Sequence, residues 1–549
     1  MIKTFLAILT LIYFLTGNAF SQVLEEWVAR YSGPSSFGDE ATALAIDNLG
    51  NIYVIGFGYV SGPRNDYVTI KYDSNGDTVW VRRYNGTGND QDQALAIAVD
   101  ISGNVYVTGE SPGTGPGEDY ATVKYNSIGE EQWVARYDGP GNYWDTARDI
   151  AVDYSGNVYV TGESYGFGYD YATIKYNSDG DTVWIRRYHG SGGEDYGRAI
   201  SIDDSGNVYV TGSSVGLSTS NDYLTIKYDS TGEEQWIARY NGTGNGYDYA
   251  RAMAVDDSGN VYVTGRSADT TNSADCTTIK YNTHGEEQWV ARYDDIETNR
   301  YIGWAIVVDN NGYIYVTGEG YNSSTEEDCI TIKYDMNGDT VWVRRYNGTD
   351  NTEDYGRAVA VDNYGNVYVT GESRGYNSSY DYVTIKYNPD GLQDWIMRYN
   401  GPANYIDKSV SIAVDDAGNV FVTGTSEGVV TGNDYATIKY SQPTGIEPTY
   451  NQVTQRFTLS QNYPNPFNPV TTIEFHIPKT ELVSLKIYDI LGQEITTLIY
   501  QPLSAGSHEI KWDARDIPSG IYLYQLKAGD PSKGSKQGFV ETKKMILLR

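Results

Sequence analysis

The chain has 549 residues, with 52 Tyr, 60 Gly and only 16 Pro. Tyr and Gly at that level suit strands joined by tight turns, not helices, and the length allows several hundred residues of core plus a smaller domain. The formal charge of −32 lies almost wholly before Gly445, and so acidic a surface argues against nucleic acid or an anionic membrane as partner.

Residues 1–21 read as a secretory signal peptide. Lys3 gives the positive start, Phe5–Leu15 the apolar stretch, and Ala19-Phe20-Ser21 a small-x-small cleavage site. The mature chain is then expected to begin near Gln22. No Cys stands beside the cleavage site to take a lipid. No later run reaches the ~18 apolar residues that span a bilayer.

From there to Ser441 the sequence repeats. Trp27, Trp80, Trp133, Trp184, Trp236, Trp289, Trp342 and Trp395 recur at steps of 51 to 53 residues. GNIYVIG at Gly50 and DYVTIKY at Asp66 each recur as a series of eight. The second unit offers four apolar or alternating runs, Ala94–Asp100, Asn104–Gly109, Tyr120–Tyr125 and Gln132–Tyr137, which predict strands of 5–7 residues. DISGN and YNSIGE are tight turns with Gly where a positive φ is wanted. The other two links, Glu110–Asp119 and Asp138–Asp145, run to about ten residues and vary between units. Four antiparallel strands repeated eight times predict an eight-bladed β-propeller. The first Trp strand, Glu25–Tyr31, has no preceding DYxTIKY strand, and the last such strand, Asp434–Tyr440, has no following Trp strand. The N-terminal strand is therefore expected to complete the eighth blade and close the ring.

After TGIEPTY the period stops and Pro clusters in QNYPNPFNP. Alternating strands with turns at LGQ and PSG predict a small Ig-like β-sandwich. The expected plan is thus all-β: an eight-bladed propeller of four-stranded blades at 22–443, a linker at 444–455, and the sandwich at 456–549.

Three resemblances attach to these motifs. The eight units resemble SBBP repeats, on the AVDxxGNVYVTG core and the Gly turn that follows; this implies a propeller, although the family's name implies seven blades. The C-terminal part resembles the type A sorting domain of the type IX secretion system. The matching residues are Tyr463, Pro464, Asn465, Pro466, Phe467, Asn468 and Pro469, then Ile487-Tyr488-Asp489, Gly492, Trp512-Asp513, Ser519-Gly520-Ile521-Tyr522 and Lys543-Lys544-Met545. That resemblance implies the type IX machinery as partner, export across both membranes, and release or attachment at the cell surface. The Asn/Asp-x-x-Gly-x-x-x-Trp spacing resembles the docking motif of eight-bladed quinoprotein dehydrogenases, which implies a Trp packed between blades. Those enzymes' adjacent Cys pair is missing here, so their cofactor is not expected.

The tight turns fall on one face and the variable links on the other, where binding is expected. There Tyr143, Trp144, Tyr196, Tyr247, Tyr249, Tyr301, Trp304, Tyr355 and Tyr405 lie beside Asp and Asn, a composition that suits sugar rings; packing between adjacent loops is the other reading. Asp39, Asp92, Asp145, Asp195, Asp248, Asp354 and Asp407 recur eight residues before each strand-ending Asp, and the sixth unit has Tyr301 instead. Arg148, Arg198, Arg251 and Arg357 follow three residues later. Such a ring at a channel mouth suits Ca²⁺, with Asp92, Asp145, Asp195, Asp248 and Asp354 as ligands, or else each Asp fixes its own loop through backbone N–H groups. Asp47, Asp100, Asp153, Asp203, Asp256, Asp309, Asp362 and Asp415 sit at hairpin turns and are assigned to Asx-type bonding. Cys276 and Cys329 share one register of neighbouring units and are expected as separate thiols. Histidine is scarce, with His189, His284, His476 and His508, and no triad, zinc or phosphate-loop pattern emerges. The expected role is non-enzymatic binding, adhesion or display, with a glycan or a surface protein as partner. The alternatives are a carboxylate-driven enzyme of extracellular polysaccharides and a structural surface-layer component.

Overall fold

The computed structural model describes residues 23–442 except 36–37, 62–63, 192, 271–272, 295–299, 323, 349–350 and 376–378. It also describes 458–547 except 460–461, 463–466, 478–480, 491, 504–505, 516 and 529–538. The expected signal peptide at 1–21, the expected linker at 444–455 and Tyr463–Pro466 of the sorting motif lie outside the described residues. The chain divides into two compact units, Met1–Pro443 and Thr444–Arg549.

In the first unit the described residues form eight four-stranded antiparallel sheets. In the third, Asp145–Val152, Val158–Tyr165, Tyr169–Tyr176 and Thr182–Tyr188 lie side by side in chain order. The first strand of each sheet packs against the first strands of its neighbours, as Asp145–Val152 does against Gln93–Val99 and Asp195–Ile202. One sheet breaks the chain order. Leu24–Tyr31 pairs antiparallel with Gly432–Ser441, Trp27 facing Lys439, and so becomes the outer, fourth strand of the sheet that begins with Asp407–Val414 and Val420–Gly428. Most strands are longer than the 5–7 residues expected. In the second sheet Val105–Pro112 and Glu118–Tyr125 stay paired out to Pro112 and Glu118, because the ends of the variable link continue the hairpin ladder.

Two sequence cassettes account for the repeat. In Asp-x-x-Gly-Asn-x-Tyr, one oxygen of Asp153 accepts the N–H of Ser155 and Asn157, each at 2.9 Å. The other accepts Asn157 Nδ2 at 2.7 Å and the Tyr159 hydroxyl at 3.0 Å. Gly156 takes a φ of 78° there, which an L side chain resists. The turn is thereby fixed by its own side chains.

The second cassette joins neighbouring sheets. The Trp133 ring lies 6.1 Å from Tyr106 of its own sheet and 6.2 Å from Tyr176 of the next. It rests on Gly180, where a Cβ would meet the indole at 2.7 Å, and its Nε1–H donates to Ser178 O at 3.0 Å. Lys124 donates to the same carbonyl at 3.0 Å. Trp80, Trp184 and Trp342 are further covered by the guanidinium of Arg82, Arg186 and Arg344, 5.4 to 5.7 Å from the ring, and are buried. At the clasp no YNxxG turn follows Tyr440. Gln442 takes over part of its work, accepting Lys386 Nζ at 2.6 Å, while the Trp395 indole N–H has no acceptor among the described residues.

Cys276 and Cys329 are separate, buried thiols, each pushed up to about 12 by burial. In the second unit a three-stranded and a four-stranded sheet enclose Leu485, Ile487, Trp512, Tyr524 and Met545. Phe467 of the sorting motif belongs to that core, 5.6 Å from Trp512. Its N–H donates to Ile546 O at 2.9 Å. Pro469 O accepts Ala514 N–H at 2.9 Å, Asn468 is exposed, and Gly520 pairs with Leu547. No helix among the described residues is long and apolar enough to cross a membrane.

Candidate functional site at the variable-loop end

Counted from the ring Asp, or from Tyr301 in the sixth sheet, each inner strand carries a β-bulge between its third and fifth positions, as at Ala147 and Asp149. The fourth residue is the unpaired one and is turned out of the ladder. A cavity of about 600 Å³ between inner strands is lined by Glu40 and Lys408 (second residues) and by Thr42, Leu95, Arg148 and Val410 (fourth residues). In the remaining sheets the fourth position holds Arg198, Arg251, Trp304 and Arg357, and the second holds Tyr196, Tyr249, Ile302 and Tyr355. By repeat position these residues are the counterparts of the ones that line the cavity, and Ile302 among them is buried.

The Asp ring is not at that surface. Asp39, Asp92, Asp145, Asp195, Asp248, Asp354 and Asp407 are all at most 1% exposed. Each accepts the N–H of a glycine in the link that precedes it: Gly139 to Asp145 at 2.6 Å, Gly242 to Asp248 at 2.7 Å, Gly401 to Asp407 at 2.7 Å. Asp145 also accepts the Tyr165 N–H at 3.0 Å. Of the two readings, loop fixation is the one the contacts carry; a Ca²⁺ ring of Asp92, Asp145, Asp195, Asp248 and Asp354 would need carboxylates open to the channel. Burial raises Asp39, Asp92, Asp145 and Asp354 to about 6. A carboxylic acid with such a pKa suits general-acid chemistry, but these reach no solvent.

Beneath the ring runs a second set of contacts. Arg136 pairs with Asp119 of its own sheet at 2.8 Å and donates to the Tyr84 hydroxyl of the preceding sheet at 2.9 Å. Arg187 does the same with Asp170 at 2.6 Å and Tyr137 at 2.8 Å. In the sixth sheet Tyr301 stands where the others have Asp. Its hydroxyl accepts Arg345 at 2.7 Å, and Gly320 replaces the usual Ser because its Cβ would meet the ring at 2.2 Å. Tyr301 is fully buried. It is a packing wedge and leaves the list of ligand-facing aromatics.

The other aromatics remain near the surface. Tyr143 and Trp144 are 46% and 49% exposed and meet edge to face at 5.4 Å. Contacts of 5.4 to 5.5 Å continue from Tyr143 to Tyr165, from Tyr165 to Tyr169 and from Tyr169 to Tyr196. Five rings thus form one ribbon from the rim of the third sheet to the channel wall of the fourth. Phe167, fully exposed, sits at the tip of the hairpin between Tyr165 and Tyr169. Further round, Tyr247 stacks on Tyr249 at 6.0 Å, Tyr355 meets Tyr380 at 6.0 Å, and Tyr405 is exposed. Trp304 donates to Glu319 at 2.9 Å between the guanidiniums of Arg251 and Arg357, at 4.7 and 5.2 Å. Tyr165, Phe167 and Tyr169, from the link SYGFGY at 164–169, are not among the aromatics singled out from the sequence. The signal was aromatic density within one link.

Two groups of described residues have the donors and spacing to share a cation: Asp170, His189 and Asp195, and Asp119, Asp138 and Asp145. Arg187 and Arg136 already neutralise one carboxylate in each, so neither enters the function argued below.

A family model described as a secretion system C-terminal sorting domain matches residues 461–540. A β-propeller repeat model, SBBP, matches residues 79–115, 132–169, 183–217, 235–270, 341–377 and 395–429. No curated protein matches the chain. Among solved structures there is weak likeness to a protein of unknown function from Dyadobacter fermentans, 9% identical over 76% of this chain and 99% of that one, TM-score 0.38. A eukaryotic initiation factor is 9% identical over 65% and 77%, TM-score 0.34. A gluconolactonase from Xanthomonas campestris is 10% identical over 63% and 92%, TM-score 0.28. Likeness at this level carries no functional argument.

Proposed function

We propose that this chain, which belongs with the SBBP-repeat β-propellers and carries a type IX secretion sorting domain, is an eight-bladed, non-enzymatic binding module for glycans, worn on or released from the cell surface. The sorting domain addresses it to the type IX machinery for export. The binding reading rests on one observation, the aromatic ribbon from Trp144 through Tyr143, Tyr165 and Tyr169 to Tyr196. Edge-to-face and tilted rings leave flat apolar faces beside hydroxyls, which matches the faces and rims of sugar rings. The rings stand on links held by buried Asp–Gly contacts, so little ordering is needed on binding.

The test is a glycan array on the mature chain, with a released-sugar assay run alongside. Binding should fall about tenfold in Trp144→Ala and in Tyr169→Ala, the loss of roughly 1.4 kcal/mol of contact each. Binding that survives both substitutions defeats the reading. Sugar release would favour the alternative of carboxylate catalysis on this face. Neither binding nor release would favour a structural surface-layer role.

A further inference from the structure

At the inner end of the ribbon the repeat pattern changes sign. The residue paired across from the second inner-strand position is Glu110, Glu163, Glu319 or Glu372 in four of the sheets. These acids neutralise the channel arginines. Arg148 pairs with Glu163 at 2.6 Å and Arg198 approaches the same carboxylate at 3.5 Å. Arg357 lies 3.3 Å from Glu319 and 3.2 Å from Glu372. In the fifth sheet that position is Arg266, opposite Tyr249. Arg251 thus has a second arginine where its carboxylate would be, and Trp304 on its other side.

Both guanidiniums are held against aromatic faces. Arg251 lies 4.7 Å from the Trp304 ring and 5.9 Å from Tyr249, and Arg266 lies 5.9 Å from Tyr249 on its own account. The Nε atoms of Arg251 and Arg266 are buried and have no acceptor among the described residues. Burial, then the charges of Arg198 and Arg266, press the Arg251 pKa downward. A buried guanidinium N–H without an acceptor is costly, and two like charges side by side add to that cost. These two cations lack the local carboxylate that Arg148 and Arg357 have, and an anion between them would supply it. Guanidinium forks match the two oxygens of a carboxylate or sulfate.

The geometry points to an anion subsite formed by Arg251 and Arg266, with Trp304 and Tyr249 as its walls, which takes the carboxylate or sulfate group of an acidic sugar. This deepens the glycan reading and rests on it.

The decisive variant is Arg266→Glu, which restores the residue found in other repeats and gives Arg251 the partner that Arg148 already has. It should fold, and its melting temperature should not drop. Three oligosaccharide probes are titrated calorimetrically into the mature chain: oligogalacturonate for carboxylate, a sulfated chondroitin oligomer for sulfate, and neutral cello-oligosaccharide. Sodium sulfate against sodium chloride at equal ionic strength supplies a thermal-shift readout without sugar. The expected result is binding of at least one acidic oligomer that weakens at least tenfold in Arg266→Glu and with added salt, while neutral binding is unchanged. Sulfate should stabilise the wild type more than Arg266→Glu. Equal binding of acidic oligomers by both proteins overturns the subsite and leaves the aromatic reading standing. A wild type that binds no oligosaccharide and gains nothing from sulfate overturns both.

Discussion

Replacing Trp184 with Ala removes one inter-sheet clamp and nothing at the variable-loop end. Trp184 is 7% exposed. Its ring is 6.2 Å from both Tyr159 and Tyr228, Arg186 lies 5.7 Å away, and its indole N–H reaches Ser230 O at 3.4 Å. An aromatic of this size buries about 150–250 Å². At ~25 cal/mol per Å² that is roughly 4–6 kcal/mol, reduced because the unfolded chain already buries part of it. The hydrogen bond is long and its acceptor can meet water, so it adds at most about 1 kcal/mol. The expected cost is about 4 kcal/mol, within the ~3–5 kcal/mol range of large aromatic deletions. Urea denaturation of the mature chain, followed by circular dichroism, reads it as a lower midpoint at unchanged slope. Trp133→Ala is the internal control. Ala135 stands where Trp184 has Arg186, the ring is only partly buried, and the cost should be smaller by ~1 kcal/mol. A Trp184→Ala cost below ~1 kcal/mol, or a loss of glycan binding with no loss of stability, would refute the clamp.

Deleting residues 24–31 should abolish the cooperative melting transition of the propeller. It strips the partner from Gly432–Ser441 and removes the Trp27 contacts with Tyr72 and Phe421 at 6.4 and 6.3 Å; an unchanged melting curve would sink the closure by the N-terminal strand. The buried aspartates set an unusual pH dependence. Burial raises Asp39, Asp92, Asp145, Asp149 and Asp354 to about 6 from the ordinary 3.8. Between these values the folded chain holds more protons than the unfolded one. Their contribution is therefore fully present below about pH 4 and is lost as pH rises through about 6. Hairpin aspartates such as Asp153 and Asp203 are shifted below 3.8 and act only at lower pH. The denaturation midpoint should be higher at pH 5 than at pH 7, and Asp145→Asn should shrink the difference. A midpoint that climbs steadily from pH 5 to 7 would contradict the assignment.

The scaffold was legible because its contacts are local in the repeat. Asp153, Gly156, Asn157 and Tyr159 stand within seven residues of sequence, and the Gly-to-Trp spacing marks the clamp directly. The unpaired Trp27 strand disclosed the closure, since a missing partner at each end is visible without coordinates. The Asp ring was harder. Repetition shows that Asp145 and its equivalents matter, but not whether they face the channel or their own loops. The bulge at the fourth position decides that, because it turns Arg148 and Trp304 into the channel and leaves the Asp side chains buried. Tyr301 was misplaced for a related reason: only the packing of its ring on the bare backbone of Gly320 shows that a ring can occupy an Asp position and still meet its Arg.

Arg266 was hidden differently. It sits inside a strand, in GRSA where three other units have GES, and a reader of loops passes over it. Aligning the units position by position would have found it, since the position is Glu in four units and uncharged in the other three, Phe57, Ser213 and Thr425. The same logic separates the two aromatic sets. Tyr159, Tyr209 and Tyr262 recur in register and are fully buried clamps, so their repetition marks them as structure. Trp144 and Phe167 have no aromatic counterpart at their positions in the two adjacent units, and Trp144 joins Tyr143, Tyr165 and Tyr169 in a chain of rings that ends on Tyr196, under the guanidinium of Arg198. In a protein built by repetition, function is to be sought where a unit departs from its neighbours, as the fifth sheet does at Arg266 and the third at Trp144 and Phe167.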